Sequence, residues 1–156
     1  MKSPQKSRFG KLVTYLLDPQ NKKTRVGEVA ITNCVSTDKT WASREIAATQ
    51  WLNTRAKSAR TYHLLISLKA GANPEDQTLR VIEERFCKAL GYAEHQRISV
   101  IHHDTDNMHI HVAINKIHPR TLTLHDPIRD YITLKICSAG FQNTLSDVCL
   151  FQKKMR

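Results

Sequence analysis

Three closely spaced histidines are the residues of this sequence best suited to chemistry. His102 precedes a short polar segment, and His109 and His111 follow it in a run rich in Ile and Val. Side chains at positions i and i+2 of a β-strand lie on the same face. The two extended runs and the polar turn between them predict a β-hairpin within residues 98–119. His102 would then lie opposite the other two, and three imidazoles would converge.

Three converging imidazoles favour a metal site. Imidazole is the commonest protein ligand for metal ions, and three protein ligands with open positions are typical of a catalytic centre. The spacing alone suggests zinc, because magnesium prefers oxygen ligands. The alternative is a set of hydrogen-bonded histidines on a polar sheet face. His103 alternates to the opposite face, and it is the weaker candidate for the place of His102.

The charge of the chain points to a polyanionic partner. The 156 residues carry a formal net charge of +10 and have a pI of about 9.7, which suits nucleic acid or a membrane surface. The alternative is a soluble protein that is merely basic. We expect a cytoplasmic protein without membrane insertion, because no apolar run has the length of a membrane span and the N-terminus lacks the apolar part of a signal peptide.

Hydrophobic periodicity predicts a single α+β domain over residues 1–156, in which helices pack on an antiparallel sheet. Asp38 is the expected N-cap of the second helix, and Gly91 is the expected C-cap of the third. The predicted elements are helix 9–17, strand 27–35, helix 39–53, strand 61–68, helix 74–90, the hairpin, a short strand or arm in 120–126, and a final helix after Pro127.

Other polar residues leave two interpretations open. Tyr15 lies outside the apolar stripe of the first helix, at or near the rim of the core, where it is either a packing or surface residue or a functional one. Arg55, Lys57 and Arg60 make a basic segment, which fits either a solvated loop or phosphate contacts. His63, in the second predicted strand, is interpreted as a packed strand histidine.

Three motifs resemble those of conjugative relaxases in the HUH endonuclease superfamily, most closely the P-type mobilisation relaxases of IncP-like plasmids. They occur in the family's order. The first is FGKLVTY at 9–15, the second centres on Ser67, and the third comprises HHD at 102–104, HIH at 109–111 and Asn115.

The resemblance implies a fold, a reaction and a cofactor. The fold is the HUH variant of the ferredoxin-like sheet, and the reaction is strand-specific nicking at a plasmid transfer origin. Tyr15 matches the catalytic tyrosine, which would leave a 5′-phosphotyrosyl link and a free 3′-OH. The resemblance also implies Mg²⁺ or Mn²⁺ on His102, His109 and His111. Zn²⁺ could still bind there in vitro.

Further residues and partners follow from the same resemblance. Asp104 could orient a ligand imidazole or cap its own turn. The expected partners are single-stranded and supercoiled plasmid DNA at the transfer origin, accessory DNA-binding proteins of the relaxosome, and a coupling protein. Relatives usually continue further, so the chain is interpreted as the catalytic core or a truncated form. The predicted DNA contacts are Ser67, also assigned to catalysis, and Asn115, Lys116, Arg55 and Arg60.

Two rival functions fit some of these residues. Tyr131 and Lys135 form a Y-x-x-x-K pattern, as in rolling-circle replication initiators of the HUH class, although Tyr131 also fits the apolar stripe of the last helix. The other rival is a non-catalytic nucleic-acid-binding module with structural histidines, whose binding would not depend on a divalent metal. The Thr32-Asn33-Cys34 segment also matches the relaxases, with either a structural role or a DNA contact.

Overall fold

The computed structural model describes residues 8–103, 107–144 and 151–152, and these residues form an antiparallel sheet with helices on both faces. The strands lie in the order β1-β3-β4-β2-β5, with antiparallel pairing throughout. The predicted α+β fold is confirmed. The elements are α1 Arg8–Leu17, β1 Val26–Thr32, α2 Lys39–Leu52, β2 Thr61–Ser67, α3 Asp76–Ala89, β3 Arg97–His102, β4 His109–Asn115, α4 Asp130–Thr144 and β5 Phe151–Gln152.

The register of the central strands brings Ser67 and the predicted histidine ligands to one end of the sheet. His102 on β3 pairs with His109 on β4, which pairs in turn with Ser67 on β2. His111 lies two residues further along β4, opposite Val100. Because side chains alternate across a sheet, all these residues lie on one face, which we call the histidine face. The predicted hairpin is therefore confirmed.

Each face of the sheet has its own apolar core. Phe9, Val13 and Leu16 recur at helical spacing along α1, so α1 buries one stripe. This stripe packs with Ala42 and Ile46 of α2 on the histidine face. On the opposite face, α3 and α4 bury a larger cluster, which includes Phe86, Leu134 and Phe141. The helices that flank the histidines and the helices that support the sheet from behind are thus separate pairs.

Local hydrogen bonds explain where β1 ends and α2 begins. β1 ends three residues before the predicted position because Asn33 has a φ of 59°, a left-handed conformation that ends a strand. The Asn33 side chain donates to the carbonyls of Ala93 and His95, which favours its structural role. The predicted N-cap of α2 is confirmed, since Asp38 accepts from the backbone amides of the first turn.

Two details of the C-terminal half differ from the sequence-based predictions. Residues 120–126 form no strand, although Ile117 and Leu124 make an isolated bridge. In α4, Leu134 and Phe141 are buried, but the Tyr131 side chain is 62% exposed, so its predicted place in the core stripe is wrong. No helix among the described residues is both long enough and apolar enough to cross a bilayer.

Candidate functional site

A hydrogen bond joins the helix that carries Tyr15 to the histidines of the third motif. The backbone carbonyl of Leu16, in the last turn of α1, accepts from Nε2 of His102 at 2.7 Å. Leu16 is buried because its side chain belongs to the apolar stripe, whereas Tyr15, the residue before it, is 48% exposed. Tyr15 therefore lies on a turn of helix that contacts the histidine face.

A buried arginine supports the ring of Tyr15. The guanidinium carbon of Arg25 lies 5.6 Å from the centre of that ring, within the range of a cation–π interaction. Arg25 is only 3% exposed, and it also donates to the backbone carbonyl of Asp18 just beyond α1. Sequence reasoning did not identify Arg25, because its proximity to Tyr15 depends on how the loop before β1 folds back against α1.

His109 and His111 are hydrogen-bonded to side chains of β2. Ser67 Oγ lies 2.7 Å from Nδ1 of His109, and Nε2 of His63 lies 2.9 Å from Nδ1 of His111. The ring centres of His102 and His111 are 4.3 Å apart, and those of His109 and His111 are 6.3 Å apart. Three adjacent strands thus contribute to one network of side chains.

His63 is a member of this network that was interpreted only as a packing residue. It is 4% exposed, and burial, with a smaller contribution from His102, lowers its pKa to about 4. His63 is therefore neutral at pH 7 and forms its hydrogen bond to His111 without carrying charge. His63 and Ser67 are an even number of residues apart on β2, so their side chains lie on the same face of the strand. This spacing is the sequence signal that could have placed both on the histidine face.

The hydrogen bonds of the three histidines are those expected of metal ligands, although the three side chains do not converge on one point. Among the described residues, no three His, Cys, Asp or Glu side chains are arranged to hold an ion, so the predicted convergence is not reached. A metal-bound imidazole usually has its second nitrogen bonded to a protein group, which fixes the ring. His102, His109 and His111 each make such a bond, to Leu16, Ser67 and His63 respectively.

His103, another residue of the third motif, stands apart from this network. His103 is exposed, and a Cβ added to Gly27 would come within 2.6 Å of its Nε2, so its ring lies against β1. This position keeps His103 off the histidine face, as its alternation in the strand predicts. Asp104 lies outside the described residues.

The structure corrects the predicted DNA contacts of Asn115 and Lys116. Asn115 has no exposed surface, and its side chain bonds Gln96 and the backbone amide of Ile117. Lys116 is 3% exposed, and its Nζ lies 2.9 Å from Oδ1 of Asp126. Both residues therefore hold the end of β4 in place, and neither offers a polar side chain to DNA.

The basic segment after α2 divides into an exposed and a structural arginine. Arg55 is exposed. Arg60 is half-buried, and its Nη2 donates to the carbonyls of Asn53 and Ala56 at 3.2 and 2.9 Å. Arg60 therefore fixes the loop that follows α2, whereas Arg55 remains available for a phosphate contact.

Tyr131 is on the wrong side of the sheet to act with the histidines. It lies in the first turn of α4, whose buried residues belong to the core opposite the histidine face. The start of α4 is held there by Asp130, which accepts a hydrogen bond of 2.8 Å from the hydroxyl of Tyr62. The structure thus gives no support to the replication-initiator alternative.

Comparisons with known proteins place this chain in a family. Residues 15–141 match the family model of the relaxase nuclease domain, MobA/VirD2-like. Two Escherichia coli proteins named Protein TraI are 52% identical over 134 residues and 51% identical over 140, covering 86% and 89% of this chain. Protein MobA of Acidithiobacillus ferrooxidans is 40% identical over 60 residues, 38% of this chain and 15% of its own. No solved structure matches.

The chain spans less than a fifth of the length of the TraI relatives, 18% and 19%. The family match nevertheless runs from Tyr15 to Phe141 and so includes the strands of the histidine face. By this match, the chain belongs to the family of MobA/VirD2-like relaxase nuclease domains.

Proposed function

We propose that this chain is a DNA-nicking domain that cuts one strand at a plasmid transfer origin, with Tyr15 as the nucleophile. The observation that carries the proposal is the hydrogen bond from His102 to the Leu16 carbonyl, which brings the tyrosine motif to the histidine motif across 86 residues of sequence. An exposed tyrosine beside a cluster of imidazoles has the components needed for metal-assisted attack on a phosphodiester.

The reaction exchanges one phosphodiester for another. The phenolic oxygen of Tyr15 attacks the scissile phosphorus, the bond from phosphorus to the 3′ oxygen breaks, and the 5′ phosphate stays on Tyr15. The phenolic proton leaves as the new bond forms, and the 3′ oxygen takes up a proton to become a free hydroxyl. Because a phosphodiester is retained, attack by a 3′-OH on the tyrosyl link rejoins the strand. Arg25 holds the Tyr15 ring on one side during the attack.

His102, His109 and His111 are the proposed ligands of a divalent ion, Mg²⁺ or Mn²⁺ in the cell and Zn²⁺ in vitro. When bound, the ion polarises the non-bridging phosphate oxygens. Ser67 and His63 orient His109 and His111 through the hydrogen bonds described above. Asp104 is proposed to orient a ligand imidazole, and Ser67 and Arg55 are proposed to contact DNA.

The proposed partners are single-stranded and supercoiled plasmid DNA, accessory DNA-binding proteins of the relaxosome and a coupling protein, with action in the cytoplasm. The net charge of +10 supports a DNA partner, because most affinity for DNA comes from contacts between cations and phosphates. The protein partners rest on the family alone.

Replacing Tyr15 by Phe tests the proposal. Tyr15→Phe removes one oxygen and keeps the ring, so it should abolish covalent adducts with transfer-origin oligonucleotides in Mg²⁺ or Mn²⁺ while leaving single-strand binding intact. Tyr131→Phe is the matched control, because Tyr15 and Tyr131 are 48% and 62% exposed. It should form adducts almost normally.

Mapping the adduct separates the proposal from its rivals. Trypsin releases Tyr15 within residues 12–22 and Tyr131 within residues 130–135. An adduct on 130–135 would make the protein a replication initiator. Strand binding that is unaffected by EDTA, without an adduct on any transfer-origin sequence, would indicate a non-catalytic module.

A further inference from the structure

A groove of about 670 Å³ lies at the N-terminal end of α1, on the same side of the sheet as the histidine face. It lies between Arg8 at the start of α1, the end of α2 and the segment that leads into β2. Among the described residues that line it, none has a carboxylate, whereas Arg8, Lys57 and Arg60 contribute cations. A concave surface with this charge suits an anionic ligand.

The three cations differ in how firmly they are held. Arg8 and Lys57 are exposed, and neither forms an ion pair within the described part of the chain. Arg60 is anchored by its two carbonyl bonds, and its Nε is buried with no partner among the described residues. The groove therefore combines one fixed positive charge with two side chains that can move to a phosphate.

Trp51 gives the groove an aromatic rim. Its side chain is 82% exposed at the end of α2, and no described ring or cation covers it. Trp41, on the same helix, is 60% exposed, but the guanidinium carbon of Arg44 lies 4.9 Å from its ring centre. An uncovered indole beside a basic groove is typical of proteins that stack nucleobases.

The outer face of α1 connects this groove with the nucleophile. Arg8, Lys11 and Tyr15 are exposed and follow one another at spacings of three and four residues, so they lie along one side of the helix. With a rise of about 1.5 Å per residue, Arg8 lies roughly 10 Å from Tyr15 along the helix axis. One DNA strand can contact both ends of this basic path.

We propose that the groove is a nucleotide subsite for the single strand that passes Tyr15. A base stacks on Trp51, and its phosphate is held between Arg8 and Lys57, while Arg60 keeps the wall of the groove in place. The assignment of the strand rests on the proposed function, whereas the stacking and charge contacts do not. The ligand is single-stranded because a paired and stacked base offers no free face to the indole.

Affinity for a single strand tests the stacking contact. A fluorescein-labelled oligothymidylate of about 20 nucleotides is a suitable probe, because stacking on aromatic residues tolerates any base sequence. Trp51→Ala should weaken binding about tenfold in anisotropy titrations, and Trp51→Phe should restore most of the affinity. Trp41→Ala is the matched control and should change affinity less than about twofold. Equal losses in the two Trp→Ala variants, or none in either, would overturn the subsite.

The charge contacts have their own control. Lys57→Gln and Arg8→Gln should each lower the slope of log affinity against log salt by about 0.7, the value for one phosphate of a single strand. Lys88→Gln removes the same charge as Lys57→Gln from an exposed position on α3, across the sheet, and should leave the slope unchanged. A slope that falls equally in Lys57→Gln and Lys88→Gln would show only a diffuse charge effect and contradict the subsite.

Cross-linking locates the base. After ultraviolet cross-linking to the same oligonucleotide, trypsin separates Trp51, in residues 45–55, from Trp41, in residues 40–44. We expect the label on 45–55. Label on 40–44 alone, or an equal loss of duplex affinity in Trp51→Ala, would refute a single-strand subsite at this groove.

The adduct assay keeps the two proposals apart. A wild-type adduct on Tyr15, together with unchanged strand affinity in Trp51→Ala, would reject the subsite and leave the nicking function standing. Weakened strand binding in Trp51→Ala, with no wild-type adduct on any transfer-origin sequence, would reject the nicking function and leave the subsite as a place where single-stranded DNA binds.

Discussion

Two groups of histidines lie at opposite ends of the β3–β4 hairpin, and only one of them resembles a reaction centre. The strand cluster comprises His63, His102, His109 and His111 and contacts the turn of α1 that carries Tyr15. The loop cluster comprises His95, His118 and His125. The ring of Tyr92 packs against His95 and His125, with centroid distances of 4.9 and 5.1 Å, and the ring of His118 packs against His95 at 5.2 Å.

The loop cluster ties loops to the ends of β4 and α3. Nδ1 of His95 bonds the Asn115 carbonyl at 2.7 Å, and Nε2 of His125 bonds the Leu90 carbonyl at 2.8 Å. His118 uses both nitrogens, with Nε2 bonded to Glu94 and Nδ1 accepting from backbone amides of the next turn. These bonds help to hold loop segments in place, together with the hydrogen bond from the Tyr92 hydroxyl to the His125 carbonyl and the backbone hydrogen bond from His125 to Lys116.

The strand cluster needs no such explanation, because strand pairing already holds its backbone. Its imidazoles bond instead to each other, to the Ser67 hydroxyl and to the carbonyl next to Tyr15. The comparison shows that the number of histidines in a cluster is a weak signal of chemistry. The two groups differ in what their ring nitrogens bond, and in whether the proposed nucleophile, Tyr15, lies on a contacting segment.

The largest difference between the clusters should appear on removing one imidazole from each. His109→Ala should reduce adduct formation by more than about a hundredfold and weaken Mn²⁺ binding, measured by calorimetry, because a metal ligand is lost. His118→Ala in the loop cluster should nick within about twofold of wild type per folded molecule. Full activity of the wild-type protein in EDTA would contradict the metal role of the strand cluster.

A smaller effect should distinguish the two roles assigned to Ser67. If its hydroxyl orients His109, Ser67→Ala should weaken Mn²⁺ binding about 10- to 100-fold and leave affinity for the labelled oligothymidylate unchanged. The opposite pattern, with metal affinity intact and strand affinity reduced, would show that Ser67 contacts DNA and does not orient the ligand.

Gly91→Ala, next to the loop cluster, should destabilise the protein. Gly91 has a φ of 85°, and a Cβ there would come within 2.5 Å of Nε2 of His125. The substitution should lower the free energy of unfolding by about 1 to 3 kcal/mol, measured by denaturant titration, with nicking by the folded fraction preserved. Combining it with His125→Ala should recover the part that is due to the clash. Unchanged stability of Gly91→Ala would show that the cluster does not constrain this turn.

The smallest effect concerns pH. Burial lowers the pKa of His95, opposed by its bond to Asn115 and reinforced by His118 and His125, with Glu94 acting in the opposite direction. The unfolded chain therefore takes up a proton more readily, so this contribution to stability is present above about pH 6.5 and is lost as pH falls. His95→Asn should flatten the decrease in melting temperature between about pH 7.5 and about pH 5. A curve parallel to that of the wild type would exclude His95 as its source.

Patterns with local causes could be predicted from the sequence. The alternation of side chains and the polar turn were enough to place His102 opposite His109, and the capping role of Asp38 depends only on the residues that follow it. The resemblance to relaxases added Tyr15 and Ser67. In the structure the carbonyl of Leu16, next to Tyr15, and the hydroxyl of Ser67 are each hydrogen-bonded to one of the histidines.

Features with distant causes could not be predicted. Lys116 is buried because Asp126 returns to it from the far side of a loop, and the position of Tyr131 depends on how Tyr62 anchors Asp130. Both partners lie on other segments, and nothing in the neighbouring sequence indicates them. Which nitrogen of each histidine is bonded is likewise set by contacts across strands.

The bond between His102 and the carbonyl of Leu16 has a thermodynamic consequence. One imidazole connects the last turn of α1 with the proposed ion, so the docking of that turn and ion affinity are linked equilibria. Linkage is reciprocal: if ion binding favours docking of this turn by a given free energy, docking of the turn favours ion binding by the same free energy. Chelation should therefore speed amide hydrogen exchange in the last turn of α1, and a covalently held strand on Tyr15 should alter how tightly the ion is retained.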